Sequence, residues 1–478
     1  MFIEEMQSEI CRASRKSNVK FDNDATSCYD RILPALATIA SRKFGIHKNV
    51  AFVMASTLQE CKYKLKTLLG ISDEYYKHCK IFPIYGTGQG SGNSPAIWCI
   101  ISSVLFDCHE SRAHGATFES PDRTQSITFY MIGFVDDSTG QANAFLMDTQ
   151  PPAAHLVARM REDAQLWNDL LWASGGALEL PKCTYHVIDY VFTPDGAPIL
   201  RGGQVGGDLI LQTGDRTSSQ MIPFKSAHCS HKTLGHYKEP SGNQTRQYQV
   251  LIEKSNAAGI FVQCSALNRK EAWTYYFTIY LPSVGYPLPN CHFSFKQLQS
   301  IQAKGMRAIF AKCGFNRNTK SLILYGPSRL GGASFQHLYT EQGVGQIQTF
   351  LRHWRCSKQP GIILRIAVAW VQYAIGTGVS FLTDVTTDLP HMESKWLKSL
   401  RYYLFTINGT IELDTNTIQP LQRIHDCYLM DAVLATNQFT PKQVRMIHYC
   451  RLYLQVLTLS DITLANGTHL DPALYQGQ

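Results

Sequence analysis

Residues 126–145, SITFYMIGFVDDSTGQANAF, set two adjacent carboxylates, Asp136 and Asp137, between two runs of β-forming residues. The pattern predicts a hairpin whose turn presents the pair. Asp is a common turn residue, so an Asp-Asp turn alone says little. A second strand-like stretch, VKFDND at 19–24, also ends in acids, Asp22 and Asp24. An apolar strand that ends in carboxylates must keep them solvated or give them a positive partner, because an isolated buried charge is very costly. If the two strand ends lie side by side, Mg²⁺ is a natural counter-charge, since it takes carboxylate oxygens together with substrate phosphates. Side chains alternate along a strand, so Asp22 and Asp24 share a face and alternation does not choose between them.

Between these acids comes GTGQGSGNSPAIWCIISSVLFDCHE at 86–110. Its glycines allow another backbone or a nucleotide to approach closely, and Gln89 is held between two of them. Ser94-Pro95 predicts a helix N-cap followed by Pro at the first helical position. The spacing fits neither a dinucleotide-binding fingerprint nor a Walker loop. Further on, no acid occurs between Glu271 and Glu341, whereas Lys296, Lys304, Arg307, Lys312, Arg317, Lys320 and Arg329 do. Within residues 293–313, Leu298, Ile301 and Ile309 predict a buried stripe, leaving Lys304 and Arg307 one turn apart on another face. Such a one-signed surface suits a phosphate backbone.

With 478 residues, 44% of them hydrophobic, and a net charge of +8, the chain is long and apolar enough for about two to four globular domains. Fourteen cysteines without a C-x-x-C pair read as reduced, mostly buried thiols of an intracellular protein, nuclear or cytoplasmic. The apolar stretch IAVAWVQYAIGTGVSFL at 366–382 holds Gln372 and two glycines, and predicts a buried helix broken at Gly376 or Gly378 rather than a membrane span. Asp30 reads as an acid at the N-terminus of a helix, DRILPALATIASRKF. The C-terminal part shows helical periodicity but no ribonuclease H carboxylate set and no zinc spacing.

Asp24, then Tyr29-Asp30, then Gln89-Gly90 with Ser94-Pro95, then Phe134-Val135-Asp136-Asp137, in this order and spacing, resemble the palm of reverse transcriptases, particularly those of non-long-terminal-repeat retrotransposons. WASGGALELPKCTYHV at 172–187 resembles the fourth palm motif, and HKTLGHYKEPSGN at 231–243 the hairpin that grips a primer. The resemblance implies an α/β (α+β) palm with an antiparallel sheet and packed helices, followed by a mostly α-helical thumb and a helical C-terminal extension. The corresponding regions are residues 1–245 (a partial fingers remnant and the palm), 246–355 (thumb) and 356–478 (extension of unknown role).

The family interval to the aromatic-Asp pair selects Asp24 over Asp22 as the first metal-binding acid. By the same resemblance Asp24, Asp136 and Asp137 would hold two Mg²⁺ ions, with Mn²⁺ an alternative, and Lys182 would donate a proton. Ala25, Tyr29, Gln89, Gly90 and Ser94 would meet the nucleotide, and Leu234-Gly235 would grip the primer. Lys296, Lys304, Arg307, Lys312 and Arg317 would bind nucleic acid. The implied activity is RNA-directed DNA polymerisation, with an RNA template, a DNA primer or target, and deoxynucleoside triphosphates as partners, and no membrane. Only about twenty residues precede Asp24, so the family's fingers would be largely missing. The alternative is therefore a silent retroelement-derived fragment that only binds nucleic acid. A viral RNA-dependent RNA polymerase would call for Gly-Asp-Asp where this chain has Val-Asp-Asp.

Overall fold

The computed structural model describes residues 1–474 except 27, 80–85, 87–91, 136, 144–151 and 195. The elements that position the site run in this order: helix α1 (Phe2–Ser14), strand β1 (Asn18–Asp24), α2 (Ser94–Glu110), β2 (Met131–Phe134), β3 (Asp137–Asn143), α3 (Ala153–Ala173) and β4 (Thr184–Ile188). A short hairpin, β5 (His231–Thr233) and β6 (His236–Lys238), follows. The rest is helical, with α4 (Thr245–Cys264), α5 (Phe295–Lys312), α6 (Leu338–Trp354), α7 (Gln359–Ile375) and α8 (Trp396–Thr406) its main members. The chain is thus a mixed α/β protein with small antiparallel sheets.

The main sheet has the order β4-β1-β3-β2 and every pairing in it is antiparallel. Alternation divides β1 between two environments. Val19 and Phe21 enter an apolar cluster with Ile97 and Trp98 of α2 and Leu156, Met160 and Trp167 of α3. Gly140, opposite Phe21, leaves room for Met160, whose Cε would lie 3.0 Å from an added methyl. The other face is polar and lies under α1. There Asn18 donates to Gln141 at 3.2 Å, and Gln141 donates to Gln7 of α1 at 2.7 Å. This chain of amides joins the polar sheet face to α1, and it leaves Gln7 Nε2 and Asn18 Oδ1 buried without a hydrogen-bond partner among the described residues.

Two further clusters complete the core. Met6 and Ile10 of α1 pack with Ile363, Ile366 and Trp396, so the C-terminal helices close over the N-terminal one. In the other, Leu298, Ile301 and Ile309 of α5 join Leu251 and Val262 of α4. Gly259 and Gly305 face each other across that helix pair, and a methyl on Gly305 would come within 2.6 Å of Ser255 Oγ. Small residues there let the two backbones approach closely.

Several sequence expectations need correction. The run SITFYMIGF is not one strand: Ser126–Phe129 pairs with Ala116–Glu119, and only Met131–Phe134 pairs with β3. The helix expected from Asp30 is a short turn, Cys28–Arg31, followed by Pro34–Lys43. Leu33 between them is extended, at φ −70° and ψ 119°, because a residue before Pro is pushed out of the helical region. Helix α2 begins at Ser94 itself, and Asn93 stands at the N-cap position without a side-chain capping bond. Cys11, Cys183, Cys291 and Cys313 are buried, but Cys79, Cys99, Cys108, Cys229, Cys264 and Cys450 are exposed, so the thiols are not mostly internal.

Helix α7 ends where Gly376 takes the left-handed conformation, φ 73°. Arg451 seals that end by donating to the carbonyls of Tyr373 and Ala374. Among the described residues no helix is long and apolar enough to cross a membrane.

Candidate active site

Strand register brings the acids together. Asp24, the last residue of β1, stands directly opposite Asp137, the first residue of β3. Residues opposite one another on antiparallel strands point to the same face, about 4.5–5.5 Å apart at Cβ, and like charges so placed destabilise the sheet. The arrangement therefore calls for a counter-charge. One is present, because Lys182 Nζ lies 3.4 Å from Asp24 Oδ2.

Non-local backbone pairing delivers Lys182 to that position. After α3 the chain turns at Gly175, φ 94°, and runs back along the segment that follows β1. Leu33 N donates to Ser174 O at 3.2 Å, Thr26 N to Ala177 O at 2.9 Å, and Glu179 N to Asp24 O at 2.9 Å. Ala25 and Leu178 form a bridge between the two segments, and Thr26 Oγ1 donates to Glu179 at 2.8 Å. Lys182 follows in the turn that leads into β4.

The hairpin turn between Phe134 and Asp137 holds Val135 at φ 59°. That is an outlier for a β-branched residue, with a cost on the order of 1–3 kcal/mol that the surroundings must offset. Trp98 of α2 supplies part of this by donating its indole N–H to the Val135 carbonyl at 2.6 Å. The sequence reading did not single out Trp98. Its signal was an indole in an otherwise apolar helix, since a buried indole N–H needs an acceptor. Asp136, the other residue of the turn, lies outside the described residues, as do Gln89 and Gly90.

Asp22 occupies a different environment on the same face. Its carboxylate accepts from Thr139 Oγ1 at 2.8 Å and lies 3.7 Å from His186 Nδ1 and 4.0 Å from His231 Nε2. Burial lowers the pKa of both imidazoles, that of His186 to about 4, against the opposing pull of Asp22. Asp22 is thus engaged by a hydroxyl and two imidazoles, whereas Asp24 meets the Lys182 ammonium and stands opposite Asp137.

His231 opens the β5–β6 hairpin, so the same contact ties that hairpin to the sheet. Its turn residues Leu234 and Gly235 both have positive φ, 50° and 77°, as a type I′ turn requires. Tyr286 Oη donates to the Leu234 carbonyl at 3.2 Å.

The remaining candidates divide. Tyr29 is half-buried on the Cys28–Arg31 turn, against the core cluster beneath the sheet. The Ala25 methyl and the Ser94 side chain are buried, and so are not presented to a ligand. Lys296, Lys304, Arg307 and Arg317 are exposed. Lys312 differs from these in being half-buried, and its Nζ donates to Ser265 O at 2.8 Å, which caps the C-terminal end of α4.

Among the described residues no group of three or more His, Cys, Asp or Glu side chains is placed to hold a metal ion. The opposed carboxylates of Asp24 and Asp137 nevertheless fit Mg²⁺, which is commonly held by one or two carboxylates, with water and substrate phosphates completing its shell.

No family model and no curated protein matches the chain. Among solved structures, telomerase from Candida tropicalis in complex with the TWJ fragment of telomeric RNA is similar over 76% of this chain and 51% of that one, at 12% identity and a TM-score of 0.28. Telomerase from Candida albicans, in complex with the same kind of fragment, is similar over 73% and 50%, at 12% identity and a TM-score of 0.28. The chain spans about half the length of these two. A likeness that loose does not define a shared fold.

Proposed function

We propose that the chain is a template-directed nucleotidyl transferase, an RNA-directed DNA polymerase of retroelement origin. The observation that carries this reading is the register that sets Asp24 opposite Asp137 with Lys182 3.4 Å from the first acid. Asp24 and Asp137, with Asp136 from the same turn, would hold two Mg²⁺ or Mn²⁺ ions, which when bound activate a primer hydroxyl and neutralise charge on the triphosphate. Lys182 would donate a proton to departing pyrophosphate, a role supported by its ammonium lying 3.4 Å from Asp24. Tyr29, five residues after Asp24, packs beneath the incoming sugar and excludes a 2′-hydroxyl sterically. By the sequence resemblance, Gln89 and Gly90 would line the nucleotide and template pocket. The Leu234-Gly235 turn, tied to the sheet through His231, aligns the primer end. Template RNA and primer DNA lie along the exposed cations of α5.

The test is Mg²⁺-dependent primer extension on an RNA template by the purified protein. Asp24→Asn and Asp136→Asn abolish extension, and Asp22→Asn retains it, because Asp22 faces Thr139, His186 and His231 rather than Asp137. If Asp22→Asn, folded by circular dichroism, is as inactive as Asp24→Asn, the assignment is wrong.

A further inference from the structure

The C-terminal helices build a second surface with nucleic-acid chemistry. Between the N-terminus of α5 and helix α8 lies an open cleft of about 390 Å³. Lys395, Lys398, Tyr402 and Phe405 all line it, and their spacing of three, four and three residues puts them in one stripe that runs from the N-cap of α8 to its last turn. Among the described residues no Asp or Glu lines the cleft. Tyr402 and Phe405 are each 52% exposed, and Phe295 across from them is 49% exposed. Large rings half-open to water on facing walls leave apolar faces without a protein partner.

Phe295 is held in place. Its ring stacks on His337 with centroids 5.2 Å apart and planes 6° from parallel, and Tyr339 meets it edge-on at 5.4 Å. A platform fixed in this way loses little freedom when a flat group lies against it. Lys398 donates to Met392 O at 2.7 Å, which leaves further N–H donors on its ammonium. Helix α5, 18 residues long, begins at the cleft with Ser294 in a capping box, and its N-terminal end adds positive potential.

We propose that this cleft binds single-stranded nucleic acid, with bases stacked on Tyr402 and Phe405 and phosphates paired with Lys395 and Lys398. Exposed rings with cations beside them on one stripe match an unpaired strand, whose bases are free to stack on protein. A duplex keeps its bases stacked on one another and needs only the cations. An acidic peptide would answer the lysines but has no flat groups for the rings. The site extends the polymerase reading above, and it is tested without nucleotide addition so that the two can fail separately.

The experiment uses the full chain and fluorescein-labelled oligouridine or oligothymidine of about 12 nucleotides, within the range that one such site covers, read by anisotropy at fixed salt. The double variant Tyr402→Ala/Phe405→Ala is expected to bind the single strand at least about tenfold more weakly while duplex binding is unchanged. Lys395→Glu, at an exposed position, is expected to weaken it as well. Stronger weakening for oligouridine than for oligothymidine identifies RNA as the source, and equal weakening identifies either strand. A 4-thiouridine crosslink is expected on a peptide containing Tyr402. Unchanged affinity in both variants overturns the proposal, and so does a poly-glutamate peptide that competes as well as the oligonucleotide. Either result obtained with primer extension intact removes the cleft and leaves the polymerase reading standing.

Discussion

Gly175 connects the core of the sheet to the proposed chemistry, and its replacement can be worked out from the structure. At φ 94° it is in a conformation that costs an L-residue about 1–2 kcal/mol. An added methyl would also lie 2.4 Å from the Arg31 carbonyl oxygen and 3.0 Å from Leu33 Cγ. That oxygen is backbone and cannot swing aside, so overpacking adds about 1–3 kcal/mol. Gly175→Ala is therefore expected to destabilise the protein by about 2–5 kcal/mol. Gly207 is the control, because at φ 88° it has the same handedness but nothing within 4 Å of an added methyl. Gly207→Ala should lose only the conformational part, about 1–2 kcal/mol. Denaturant unfolding followed by tryptophan fluorescence measures both. Primer extension should separate them further, since Gly175 anchors the segment that carries Lys182 to Asp24 and Gly207 does not. Equal loss of stability in the two variants would refute the close approach to Arg31 and the positioning argument built on it.

Acid should weaken the fold through His186, whose pKa burial lowers from about 6.5 unfolded to about 4 folded. Its contribution is complete above pH ~6.5 and falls by roughly 3 kcal/mol as pH drops towards 4; a His186→Gln variant whose unfolding midpoint keeps the parent pH slope over that window would exclude it. Lys304→Ala with Arg307→Ala should flatten the salt dependence of duplex binding, by up to about 0.9 per lost contact. Lys312→Ala should leave that slope alone and cost about 1 kcal/mol of stability, so a Lys312 variant with a flattened slope would return it to the contact surface. Tyr29→Ala should admit ribonucleotides in a primer-extension competition, and a variant that still rejects them as well as the parent would remove the gate.

What could be read from the sequence was local. Alternation in VKFDND and the stripe Leu298, Ile301, Ile309 are patterns of period two and about 3.6, and the structure buries the apolar members of both. The glycine stop after residue 375 was equally readable. The break at Leu33-Pro34 was within reach, because Pro34 restricts its predecessor, but the helical periodicity on both sides masked it. Other features depend on segments far apart in the chain. No local pattern says that residues 174–182 bond to 24–33, that Trp98 supports Val135, or that His186 and His231 surround Asp22. Lys312 shows the limit most clearly: its sequence neighbours resemble those of Lys304, and only the end of α4, nearly fifty residues earlier, decides that it caps a helix.

The site and the core share one constraint. Strand β1 pairs with β3 so that Val19 faces Ala142, Phe21 faces Gly140 and Asp24 faces Asp137. Because side chains alternate with a period of two, slipping this register by one residue would turn Phe21 out of its cluster and Lys20 into it. Burial of Phe21 thus fixes the pairing, and the pairing brings the two acids opposite each other. The polar face adds its own lock, since Thr139 reaches Asp22 and Gln141 reaches Asn18 only in this register. The like-charge repulsion between Asp24 and Asp137 is small beside the loss of a buried aromatic, about 0.2–1 kcal/mol against roughly 3–5 kcal/mol. The fold can therefore hold the two carboxylates opposite each other with Lys182 as counter-charge, which is the preorganisation that the proposed two-metal chemistry would need.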